Sequence, residues 1–142
     1  FTLMTYYQEY DKIIVVGTGS KDGPVGTIAS ENAEQVMANE DATRKTANEV
    51  EITMMIEICS FHEEMGDVQL ITMVPHDIIE VKNGLTPEAL FHMPKLIEAT
   101  IDELKNSGIT LRKKEKTVPI EHIIDAYANP KVSDFTDMKE LV

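Results

Sequence analysis

The run Asp11-Lys12-Ile13-Ile14-Val15-Val16-Gly17-Thr18-Gly19-Ser20 limits what this chain can fold into more than any other stretch. Four consecutive β-branched residues, Ile13 to Val16, pass directly into a Gly-Thr-Gly-Ser turn. An uninterrupted apolar run of this length, closed by turn residues, reads as a strand buried on both faces. Such strands belong to open α/β sheets, where ligands sit in the crevice beyond the strands' carboxyl ends. Gly17, Thr18, Gly19 and Ser20 therefore form the first candidate site.

The rest of the chain supplies alternating partners for that strand. Lys21-Asp22-Gly23-Pro24-Val25-Gly26 is a loop, and the stretch 21–46 reads as a long loop-helix insertion with a helix starting near Ser30. Val50 to Ile58 fits either a strand at period two or a helix; the spacing of Ala47, Val50, Met54, Ile58, Phe61 and Met65 favours the helix, with Gly66 as its stop. Val68 to Val74 is a second strand closed by Pro75, and Asp77 to Lys82 a short helix. Thr86-Pro87-Glu88 opens a further helix to Asn106, which Pro94 is expected to break or restart. Ile109-Thr110-Leu111 opens a third strand, Ile120 to Tyr127 a helix, Lys131 to Phe135 a last strand, and Thr136 to Val142 a terminal helix. The expected fold class is α/β: a doubly wound, mostly parallel sheet of about four to five strands with helices on both faces.

Length and composition fit one domain over residues 1–142, with 42% hydrophobic residues for a core. Phe1-Thr2-Leu3 ahead of Met4 reads as a remnant of a cloning vector. The formal charge of −12, from 25 acidic and 13 basic residues, opposes binding to nucleic acid or to an anionic membrane, so neither is an expected partner. No apolar run reaches the length of a membrane span, no signal-peptide pattern precedes the first strand, and the lone Cys59 has no disulfide partner in the chain. A cytoplasmic setting is expected.

Four places carry chemistry. Gly17, Thr18, Gly19 and Ser20 with Lys21 suit an anion held by backbone N–H groups, or a plain turn; the pattern matches neither the dinucleotide fingerprint nor the P-loop. Cys59 reads as a buried core residue, or with His62 as a nucleophile. His76-Asp77 emerges at the ligand edge of the sheet, where a histidine can act as acid or base, or can cap the next helix. Arg112 to Lys116, including Lys114, is a cationic run suited to an anionic ligand or to a solvated strand end. No metal site is evident, and no cofactor is indicated.

The first strand into a loop, the helix ending Met65-Gly66-Asp67, the strand Val68 to Val74 and the helix from Leu96 through Ser107-Gly108 together resemble the DsrE/DsrF-like sulfur-relay proteins. The tail from Ile123 to Val132 and Met138 to Leu141 follows the same layout. The resemblance implies small α/β subunits assembling into oligomers, and a persulfide-carrying cysteine just after the third core strand. This chain has Lys114 about there, so the resemblance implies a non-catalytic subunit working with a sulfur-carrier partner. The alternative is a small-molecule or nucleotide-binding protein with its anion site at the first strand-helix loop, and a third reading is an enzyme using His76. A homo-oligomer is expected from the apolar excess of residues 47–65 and the uncovered sheet edge.

Overall fold

The first strand lies where the sequence puts it, as β1 (Lys12–Thr18), paired in parallel with β3 (Asp67–Met73) so that Lys12 faces Asp67 and Thr18 faces Met73. The protein is described from a computed structural model covering residues 4–19, 21–38, 47–61, 65–77 and 84–129. Among these residues the sheet has three strands in the order β1-β3-β2, with β2 (Ile28–Asn32) antiparallel to β3. The described residues form five helices, α1 (Met4–Glu9), α2 (Ala33–Ala38), α3 (Ala47–Ser60), α4 (Pro87–Asn106) and α5 (Ile120–Ala128). The class is mixed α/β, as expected, with three described strands in place of four to five and one of them antiparallel.

The alternation of β3 divides the core in two. Val68 and Leu70 point to one face, where they meet Tyr7 of α1 and Met55, Ile56 and Cys59 of α3; Ile71 and Met73 point to the other and meet Leu96 of α4. Helices thus cover opposite faces of the sheet. Ile56 and Ile71 are fully buried, and each contributes about 2–3 kcal/mol of transfer free energy.

The 50–58 segment is a helix, as favoured, but the side packed on the sheet is Ile52, Met55, Ile56 and Cys59, while Met54 and Phe61 of the spacing that suggested it are exposed. The helix expected from Ser30 starts later. Residues 28–32 pair with β3 instead, Gln69 Nε2 donating to Ser30 Oγ at 2.8 Å, and Asn32 becomes the cap. Its Oδ1 accepts from Gln35 N at 2.9 Å while Gln35 Oε1 accepts from Asn32 N at 3.0 Å, a reciprocal capping box. Gly66 has a different job from the helix stop assigned to it. Its N–H donates to the Tyr7 carbonyl at 2.9 Å, and a side chain there would overlap the Tyr10 carbonyl oxygen, so glycine lets the α1–β1 turn close on the start of β3.

α4 runs unbroken through Pro94, contrary to expectation. Pro94 is exposed, where water can serve the carbonyl it leaves without a helical donor, while Ala89, Met93, Leu96 and Ala99 hold the buried side. Thr86 caps this helix as its sequence implied, accepting from Ala89 N at 3.2 Å. α1 went unrecognised: six residues with the single buried side chain Tyr7 carry too short a pattern to read. Residues 109–114 are irregular, so the third strand expected there is absent from the described fold. The elements expected at 78–82 and 131–142, the vector remnant at 1–3 and the 39–46 stretch lie outside the described residues. No helix among the described residues is long and apolar enough to cross a membrane.

Lys12 ties β1 to both neighbours. Its Nζ lies 3.0 Å from Asp67 Oδ2 and 2.6 Å from Glu103 Oε1 of α4. Hydrogen bonds to Glu103 and then to Asp67 raise the Lys12 pKa, so its stabilisation is complete below the ordinary lysine range and disappears as pH rises through the folded value. Lys12→Met is expected to cost about 1 kcal/mol at pH 7, an exposed-side figure because Asp67 is largely in water. Urea titrations at pH 7 and pH 11.5 check this: the difference between wild type and variant should shrink at the higher pH.

Candidate active site at the carboxyl ends of β1 and β3

β1 and β3 end side by side, and the loop 19–27 is laced across their ends. Gly19 N donates to the Met73 carbonyl at 3.1 Å, Gly26 N to the Val74 carbonyl at 2.9 Å, and Val74 N to the Thr27 carbonyl at 2.9 Å. Thr27 closes the turn by donating from N and from Oγ1 to the Pro24 carbonyl, at 3.0 and 2.7 Å. Glycine is required at two points. A Cβ on Gly19 would lie 2.5 Å from Thr72 Oγ1, and Gly26 combines a φ of 82° with the His92 imidazole packed directly against it.

Helix α4 brings the other polar groups to this edge. His92 is partly buried under Gly26, and its Nδ1 is the one buried side-chain polar atom among the described residues without a hydrogen-bond partner. The exposed Phe91 ring meets the His92 ring edge-on, 4.9 Å between centroids. His76 stands exposed just beyond β3. The Glu88 carboxyl is held below the usual carboxylate range, first by its own backbone N–H, then by the Thr86 hydroxyl and by the nearby His76. Glu88 is therefore an anion at neutral pH, with His76 near enough to act on its charge.

The sequence-derived candidates separate under this geometry. Gly17, Thr18 and Gly19 do lie at the strand end, the first two exposed and with open space over Gly17. Ser20 lies outside the described residues. Lys21 directs its charge to Glu31 at 3.1 Å. His76 shares the edge with Gly17 to Gly19 through the β1–β3 pairing, whereas Lys114 is exposed in the irregular segment after α4. Glu88 and His92 were missed, because only the packing of α4 brings them to this edge.

Cys59 is remote from all of these. It is fully buried between α3 and the sheet, and burial pushes its thiol pKa up. Neutral, enclosed thiols react slowly. Labelling with a thiol-specific aromatic disulfide at pH 8 is expected to be on the order of 100-fold slower in the folded protein than in urea. Equal rates would mean that the α3 face opens readily. No group of three His, Cys, Asp or Glu side chains among the described residues is placed to hold a metal ion.

An open-sheet α/β protein whose polar groups gather at the strand carboxyl ends is the class these features define. Within that class, a family model for hydrogenase maturation protease, HycI, matches residues 1–103, and the chain belongs to this family. Two solved structures share the fold. Hydrogenase maturating endopeptidase HybD from E. coli aligns with a TM-score of 0.64 at 23% identity over 75% of this chain and 66% of that one. An endopeptidase from Escherichia coli, solved in solution, aligns with a TM-score of 0.65 at 22% identity over 76% of this chain and 67% of that one. The chain thus spans about two thirds of the length of each. No curated protein matches it.

The family match overturns the DsrE/DsrF resemblance and with it the sulfur-relay reading. That resemblance rested on element order and hydrophobic spacing, which unrelated α/β chains share because one packing problem sets both. A non-catalytic relay subunit, and its ligand-binding alternative, give way to a family of proteases. The sulfur-carrier partner had no support apart from that resemblance.

Proposed function

We propose that this protein is a hydrogenase maturation endopeptidase that cleaves a peptide bond within a hydrogenase precursor. The observation that supports it is the family match over residues 1–103, which takes in the whole edge from Gly17 to His92. On this reading the precursor's peptide lies across Gly17, Thr18 and Gly19, where glycine leaves the backbone open to an approaching chain. His76 takes a proton from water as the water oxygen attacks the peptide carbonyl carbon, and returns it to the leaving nitrogen as the C–N bond breaks. Glu88, an anion at neutral pH near His76, offsets the positive charge that the ring carries once it has taken the proton.

A cytoplasmic setting, homo-oligomerisation and a sheet of four to five strands belong to the same proposal. Exposed Phe61, Phe91 and Tyr127 are the side chains an oligomer would cover. The test is the intact mass of an unprocessed hydrogenase precursor before and after incubation with the purified protein. Two fragments summing to the precursor plus one water support the proposal; an unchanged precursor that a known maturation endopeptidase does cleave refutes it.

A further inference from the structure

The backbone of β1 has one side in use and one side open. Gly19 N donates to the carbonyl of Met73, the residue that Thr18 faces in the β1–β3 register. Along a strand in a parallel ladder, successive residues alternate, turning both N–H and C=O toward the partner strand or both away from it. Val15, Gly17 and Gly19 therefore bond to β3, and Ile14, Val16 and Thr18 turn their N–H and C=O groups to the outer edge, where no strand pairs with them among the described residues. A row of unpaired backbone groups is a template for another extended chain.

A groove of about 700 Å3 accompanies β1 and leads to the candidate active site. Side-chain alternation puts Ile13, Val15 and Gly17 in one row on the face that carries α1 and α3. Ile13 and Val15 are its apolar floor, and at Gly17 the floor drops, with nothing packed within 4 Å of the place a Cβ would take. Tyr6 and Tyr10, a helical turn apart with ring centroids separated by 5.8 Å, line it as exposed aromatic rings. This wall is fixed in place, since Tyr7 between them is buried in the core and its carbonyl accepts from Gly66 N at 2.9 Å. Lys12 is the one charged residue lining the groove, and Asp67 and Glu103 already neutralise it. The chemistry that fits is an extended segment with uncharged, apolar side chains.

We propose that the hydrogenase precursor docks by strand addition to β1: an extended segment next to the scissile bond pairs with the outward N–H and C=O groups of Ile14, Val16 and Thr18, and every second side chain enters the groove against Tyr6 and Tyr10. Main-chain bonds then supply affinity, and the groove selects large apolar side chains at alternate positions. Continuity identifies this occupant. The groove is lined at one end by Gly17 and Thr18, so a chain bound along β1 arrives at the strand end that His76 shares through the β1–β3 pairing. Strand addition also covers Tyr6, Tyr10 and Val16, three exposed large apolar side chains on or beside this strand. The identity of the bound segment rests on the endopeptidase reading, whereas the pairing is measured without cleavage, so the two can fail separately.

Residue-resolved amide hydrogen exchange of the whole chain carrying His76→Ala, read by mass spectrometry with and without the intact precursor, tests it. In the free chain the amides of Ile14, Val16 and Thr18 are expected to exchange on the order of 100-fold faster than those of Val15 and Gly17, and saturating precursor should slow Val16 and Thr18 by a similar factor. A precursor that the wild type cleaves, yet that leaves Val16 and Thr18 unprotected, overturns strand addition and leaves the endopeptidase reading intact. Protection of both by a precursor that the wild type does not cleave supports the docking and counts against the endopeptidase reading, and a precursor neither bound nor cleaved refutes both. Val16 and Thr18 already protected in the free chain also overturn the proposal, since the edge is then held by the chain's own remaining residues or, where protection fades on dilution, by a second copy. The groove is read separately: Tyr6→Ser with Tyr10→Ser should lower kcat/KM for precursor cleavage on the order of 10-fold, through KM. An unchanged KM contradicts the part assigned to the tyrosines.

Discussion

Replacing His76 with alanine is expected to reduce precursor cleavage by about 10²–10⁴-fold, the usual contribution of a positioned acid-base group. His76 is exposed and outside every core cluster, so the same variant should unfold at the same urea concentration as wild type. The two readouts separate chemistry from folding. Glu88→Gln removes the anion beside the ring and keeps its shape, and it should lower the rate less than loss of the imidazole does. A His76→Ala enzyme that cleaves at the wild-type rate would remove His76 from the mechanism and leave His92, with its unpaired Nδ1, as the histidine at this edge.

The largest effect on stability is expected at Ile71. It is wholly buried in the central strand, opposite Val16 of β1 and Ser30 of β2, and packs on the α4 side of the sheet with Met73 and Leu96. Ile71→Ala removes about three carbons from a site whose neighbours are fixed by strand pairing on both sides and cannot collapse inward. A cost of about 3–4 kcal/mol follows, inside the general range for such truncations. With a urea slope of about 2 kcal/mol per M, the midpoint should fall by roughly 1.5–2 M. Ile71→Val should cost only about 1 kcal/mol. Near-equal losses for the two would mean that the β3–α4 face is loosely packed.

The parts of the fold that were legible in the sequence are those where one physical demand dominates. β1 and β3 are apolar runs bounded by glycine, proline or a tight turn, and both are strands; β3 is buried as such a run implies, whereas β1, at the edge of the described sheet, is only half-buried and leaves Val16 exposed. α4 carried its cap, Thr86, and its proline, Pro87, in order. The failures came where tertiary pairing overrides local preference. Residues 28–32 carry a serine and acids that suit a helix start, yet the free edge of β3 draws them into a strand, and the cap shifts two residues on to Asn32. Pro94 breaks helices in isolation, and here the packed side of α4 holds the helix across it.

The candidate site was half legible. Gly17 to Gly19 and His76 could be singled out in the sequence because strand ends are where open-sheet proteins place ligands, and they lie at one edge of the sheet. Glu88 and His92 were not, since their relevance comes only from the way α4 returns its first turns over the strand ends. Lys21 shows the converse: a cation in the right loop by sequence, whose partner Glu31 comes from a strand ten residues away. The family itself was misjudged because hydrophobic spacing reports the packing of an α/β chain and not its chemistry.

The central claim is that the carboxyl-end crevice of β1 and β3 receives the precursor. The most direct measurement is a two-dimensional amide NMR titration of the isotope-labelled protein with unlabelled hydrogenase precursor, using His76→Ala to prevent cleavage. Shifts concentrated at Gly17, Thr18, Gly19, Gly26 and the first turns of α4 are the expected result. Precursor binding with shifts confined to α2 or α5, and none at that edge, would contradict the account.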